Sequence, residues 1–83
     1  MKFTLHGLLR HPYGSTRELR LGSSAIVGEI WWSDRHREWT GFDRVSGRNV
    51  SAKRMTECRS LLEQSITQSL QRAIDDHTKW MQR

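Results

Sequence analysis

After Gly47 this chain has no glycine, and its only proline is Pro12, so residues 48–83 lack both of the residues that most readily end a helix. Its one cysteine, Cys58, rules out an internal disulfide and a cysteine-rich zinc site, and a reduced, cytoplasmic setting fits best. No apolar run approaches the length of a membrane span. The N-terminal apolar stretch is interrupted by His6 and Gly7 and stops at Arg10, too short for the core of a signal peptide. There is no glycine-rich phosphate loop, no nucleophile elbow, and no pair of histidines at the i, i+4 spacing of a helical metal site.

What the chain does have is a long helical stripe. Met55, Cys58, Leu62, Ile66, Leu70, Ala73, His77 and Met81 follow one another at steps of three or four, which stacks them on one helix face, and Ile74 and Trp80 widen that face towards its end. A helix over these residues is about 40 Å long, whereas strands of six to eight residues span only about 20 to 27 Å. It outruns any sheet the rest of the chain can form. Leu70, Ile74, Trp80 and Met81 at the far end then call for a cover, and the expectation is a homodimer, with a fold-back near residues 65–69 as the alternative. Ser51 can cap a helix starting at Ala52, and Thr56 can cap a later start.

The first half reads as strands and turns. Residues 2–10 alternate, Pro12, Tyr13, Gly14 and Ser15 make a turn, and residues 18–21 form a short second strand that Gly22, Ser23 and Ser24 break. Residues 25–32 are the most strand-like, with Ile26, Gly28, Ile30 and Trp32 on one face and Val27, Glu29 and Trp31 on the other. A charged turn at 33–37 leads to a strand at 38–45 carrying Trp39 and Phe42, and Ser46, Gly47 and Arg48 turn towards the helix. The expected fold is α+β: a small antiparallel meander of three to four strands followed by one long C-terminal helix packed on the sheet. Residues 1–83 make one domain, with 1–50 as the sheet part and 51–83 as the helix.

Two surfaces stand out as candidates for binding. Adjacent strand residues face opposite ways, so Trp31 and Trp32 cannot both lie under the helix. The outer indole either packs across strands on Trp39 or Phe42 or serves as a contact, and because Trp and Arg dominate binding hot spots, Trp31, Arg35, Arg37 and Trp39 form the first candidate interface. The second comes from charge: residues 1–43 contribute +1, residues 44–59 contribute +4 and residues 60–83 contribute nothing to the net charge of +5. Arg44, Arg48, Lys53, Arg54 and Arg59 concentrate the excess between the last strand and the helix, either as a solvated surface or as a site for phosphate or carboxylate.

Catalysis finds little support. Asp75, Asp76 and His77 are consecutive and diverge on a helix, Asp75 is spaced to pair with Lys79, and Cys58 sits among apolar neighbours with no histidine near it in sequence. No catalytic residue, metal or cofactor is expected. The expected partner is a protein with an acidic or nucleic-acid-associated surface, with direct DNA or RNA binding through the basic segment as the alternative; the nine acids interspersed among the cations make the chain only moderately basic for a nucleic-acid binder. In scale and make-up the chain resembles small phage-encoded proteins that block a host or defence complex stoichiometrically, including anti-CRISPR proteins. That resemblance is one of type, carried by no residue motif, and it implies an inhibitor that docks and does no chemistry.

Overall fold

The computed structural model describes residues 2–11, 14–22 and 25–81, with side chains at 7–11, 14–15 and 77–81 outside the description. Of the turn expected at Pro12, Tyr13, Gly14 and Ser15, the first two residues lie outside the described residues, as do Ser23 and Ser24 of the expected break, while Gly14 and Ser15 open a strand instead. Five strands precede one helix: β1 (Phe3–His11), β2 (Gly14–Leu21), β3 (Ala25–Ser33), β4 (Glu38–Asp43), β5 (Asn49–Ala52) and α1 (Met55–Met81). They form a single antiparallel sheet in the order β1-β2-β3-β4-β5, and α1 packs across β3, β4 and β5. The architecture is the expected α+β meander with a C-terminal helix, extended by one strand.

That extra strand, β5, was expected to be turn and helix start. Its four residues carry a brief alternation, Val50 and Ala52 half-buried and packed on the core and Asn49 and Ser51 exposed, and they pair with Phe42 to Trp39 of β4. Ser51 and Ala52 thus belong to the sheet, and the helix begins at Met55. β2 is also longer than expected, because Arg17 interrupts its apolar alternation while lying on the helix side; its Nη1 donates to Met55 Sδ at 3.0 Å.

The core lies between the sheet and the helix stripe. Leu19, Ile30, Cys58, Leu62 and Ile66 are fully buried, and Phe3, Leu5, Leu21, Trp39, Val50, Met55 and Leu70 pack around them. Two glycines on neighbouring strands let the helix approach closely. A Cβ on Gly28 would stand 2.9 Å from the Phe42 carbonyl oxygen and 3.1 and 3.2 Å from Leu62 and Ile66, and one on Gly41 would stand 2.9 Å from Val50 and 3.3 Å from Cys58 and Leu62. Gly28→Ala should therefore destabilise the fold by about 1 to 3 kcal/mol through overpacking. Denaturant melting measures it; an unchanged midpoint would mean that the helix is not seated on this groove.

The face pattern of β3 departs from simple alternation. Leu19 pairs with Gly28 but Arg20 pairs with Ile26, so Val27 is the extra residue of a bulge, and it is Val27 that is buried while Ile26 is 37% exposed. At the far end of α1 the overhang is present: Leu70 is the last described residue packed on the core, and residues 71–76 are all exposed.

Candidate docking surface

The site is set by the register of the β3–β4 hairpin. Its turn, residues 34–37, makes Trp32 pair with Trp39 and Trp31 pair with Thr40. Trp31 therefore lies on the helix-free face with Phe42, while Trp39 lies on the helix side with Trp32, so the expected grouping of Trp31 with Trp39 does not form. The pair that does form is Trp32 and Trp39, packed edge to face with centroids 5.6 Å apart and planes at 70°. Trp32 stays 41% exposed, and its indole N–H donates to Asp34 Oδ1 at 2.9 Å, which fixes the ring against the turn.

Arg35 and Arg37 occupy that turn and are exposed. Arg37 has a φ of 50°, the left-handed region that a non-glycine residue adopts at a cost of about 1 to 2 kcal/mol. Because β5 runs antiparallel to β4, with Ala52 opposite Trp39, the exposed Lys53 and Arg54 emerge at the same end of the sheet as residues 34–37. The Arg54 carbonyl accepts from the Cys58 amide at 3.0 Å, so Arg54 is the N-cap residue of α1. A cation there supplies no side-chain acceptor to the free amides and opposes the helix dipole. Asp34, Glu38 and Glu57, in the first turn of α1, temper the positive charge of this end without cancelling it.

The rest of the basic segment goes elsewhere. Arg44 and Arg48 lie at the opposite end of the sheet, around the β4–β5 turn, where Arg44 pairs with Glu29 on the helix-free face and Arg48 is exposed. Arg59 is half-buried, donating to Glu63 at 3.3 Å and to the Phe3 carbonyl at 3.4 Å. The five cations that are close in sequence are thus divided by β5 between the two ends of the sheet and the helix flank. Of the residues expected to drive self-association, Leu70 packs on the core, Ile74 is 56% exposed, and the side chains of Trp80 and Met81 lie outside the description.

Asp43 was not singled out from sequence, yet it is the most heavily hydrogen-bonded side chain described. It is fully buried: Oδ1 accepts from the amides of Val45 and Ser46 at 2.8 and 3.1 Å, and Oδ2 accepts from the hydroxyls of Ser46, Ser65 and Ser69 at 2.8, 2.6 and 3.3 Å. Burial pushes its carboxyl up, but the hydrogen bonds from Ser65, Ser46 and Val45 together outweigh burial and hold it below its ordinary value of 3.8. The signal in sequence was the Ser65, Ser69 pair one helical turn apart; its partner, distant in the chain, carried no mark. Asp43 ties the β4–β5 turn to the middle of α1.

Cys58 is fully buried, and burial, with the Glu38 charge adding, pushes its thiol up, which keeps it protonated and unreactive. Among the described residues, no three His, Cys, Asp or Glu side chains cluster to hold a metal, and no helix is long and apolar enough to cross a membrane. No family model matches the chain, and no curated protein and no solved structure matches it significantly.

Proposed function

We propose that this chain is a non-catalytic docking protein that binds an acidic surface on a protein partner through the Trp32 end of its sheet, with Trp32 and Trp39 as the apolar anchor and Arg35, Arg37, Lys53 and Arg54 around it. One observation carries the reading: Arg37 and Arg54 both stand at backbone positions that other residues fill at lower free energy, Gly or Asn for the left-handed turn and Ser, Thr, Asp or Asn for the helix cap. Both stand at the end where a Trp is exposed. Local rules broken together at one surface mark residues kept for contact, and Trp and Arg are the residue types that concentrate binding energy. A stoichiometric inhibitor of a nucleic-acid-handling complex, of the phage-encoded kind, would need only such a surface.

The test separates contact from stability. Arg54→Asp should stabilise the fold by about 1 kcal/mol, raising the melting temperature by roughly 4 to 8 °C, because it supplies the missing cap and favours the dipole. The same variant should weaken capture of the partner from nuclease-treated extract, as should Arg35→Glu with Arg37→Glu at an unchanged melting temperature. Binding that rises with stability in Arg54→Asp would reject the docking role of this end. Direct binding of duplex DNA predicts instead an affinity falling with salt by about 0.9 log unit per log unit for each phosphate neutralised, and a steep slope of that kind would favour the nucleic-acid reading.

A further inference from the structure

The outer edge of β1 carries hydrogen-bonding groups that the sheet does not use. Lys2 accepts from the Gly22 amide at 3.3 Å, which makes Lys2 and Gly22 a hydrogen-bonded pair of the antiparallel ladder. Alternation then directs the main-chain N–H and C=O of Thr4 and His6 towards β2 and those of Phe3, Leu5 and Gly7 outward. Arg59 meets the Phe3 carbonyl from outside, in keeping with that direction. β1 is regular from Phe3 to Gly7, ahead of a register shift between Gly7 and Arg10, and this stretch holds no proline, lysine or acid to guard it; β5, the other edge, is protected by being only four residues long. Beside this edge the helix-side residues Phe3, Leu5 and Leu21 are only half-buried, because α1 lies over β3 to β5.

We infer that β1 pairs antiparallel with β1 of a second copy, centred on Leu5, so that two sheets join into one of ten strands. The outward-directed residues are those of the helix side, so any such pairing sets Phe3, Leu5 and Gly7 of one copy opposite the same set of the other, joins the half-buried apolar surfaces and places both helices on one side of the sheet. Centring on Leu5 opposes Phe3 to Gly7 and Thr4 to His6, which keeps the pairing within the regular stretch and lets no two cations meet; moving the centre to His6 runs into the register shift after Gly7, and moving it to Thr4 shortens the pairing and sets Lys2 against His6. The rival seat for a second copy is the overhanging end of α1, where Ile74 is exposed and Trp80 and Met81 follow in sequence.

The experiment exploits the opposition of Thr4 and His6, which lie on the helix-free face outside the core, their Oγ1 and Nε2 3.0 Å apart. Molar mass by light scattering should rise from one to two chains across the micromolar range for the wild type. Thr4→Lys with His6→Lys should remain monomeric, as should Thr4→Glu with His6→Glu, both with the wild-type circular-dichroism spectrum. Mixing the two variants should restore the two-chain mass, which loss of folding could not produce. A wild type that is monomeric throughout overturns the inference. So do charged variants that still dimerise alone; if Ile74→Asp then abolishes the dimer, the overhanging helix is the interface.

Discussion

Asp43→Ala should be among the most damaging single substitutions in this protein, lowering stability by about 3 to 5 kcal/mol and the melting temperature by roughly 15 °C or more. The side chain is fully buried, so its removal takes the acceptor from the amides of Val45 and Ser46 and from the hydroxyls of Ser46 and Ser65, while Ser69 keeps the Ser65 carbonyl at 2.9 Å. The pH dependence has a definite sign. The carboxyl sits below its ordinary value in the folded chain, so its contribution is fully present above about pH 4 and is lost as the pH falls through the folded-state pKa. Urea titrations at neutral pH and at successively lower pH should show the gap between the wild type and Asp43→Ala narrowing. A gap that is constant or widens with acid would mean that the carboxylate form is not what the hydrogen bonds hold.

Leu62→Ala comes next, at about 2 to 5 kcal/mol. Leu62 is fully buried at the centre of the stripe, and its Cδ2 lies over both Gly28 and Gly41, where neither strand has a side chain that could move into the space. The cavity cannot collapse from the sheet side, which puts the cost towards the upper part of that range. Leu61, its neighbour in sequence, is 42% exposed, and Leu61→Ala should cost less than 1 kcal/mol. Equal effects at the two positions in denaturant melts would place the helix in a different rotation on the sheet.

The helix was legible in its stripe, Met55 to Met81, because a run without glycine or proline leaves only its hydrophobic spacing to interpret. Its start was not, since the expected helix part opened at residue 51, with caps at Ser51 or Thr56, where Ser51 and Ala52 belong to β5. The sheet was legible in its long strands and hidden in two places. β5 has four residues, too few for alternation to outweigh the neighbouring Ser46, Gly47 and Arg48 turn and a plausible cap at Ser51. The bulge at Val27 reverses which of two adjacent apolar residues is buried, and nothing local to β3 announces it, since a bulge is a property of the pair of strands. The site shows the same division. That Trp31 and Trp32 face opposite ways follows from strand geometry, but which of them meets Trp39 depends on the length of the turn between them, and a change of one residue in that register exchanges them. The basic segment from Arg44 to Arg59 is continuous in sequence and divided in space for the same reason that β5 was missed.

The central claim is that one end of the sheet, and not the other, is the docking surface. The most direct measurement captures partner protein from nuclease-treated extract of the source cell with three baits: the wild type, Arg35→Glu with Arg37→Glu, and Arg44→Glu with Arg48→Glu. The account predicts one protein retained in stoichiometric amount by the wild type and by the Arg44, Arg48 variant, and lost with the Arg35, Arg37 variant. Retention by the Arg35, Arg37 variant with loss from the Arg44, Arg48 variant, or a partner that disappears from every bait once nuclease is added, would contradict it.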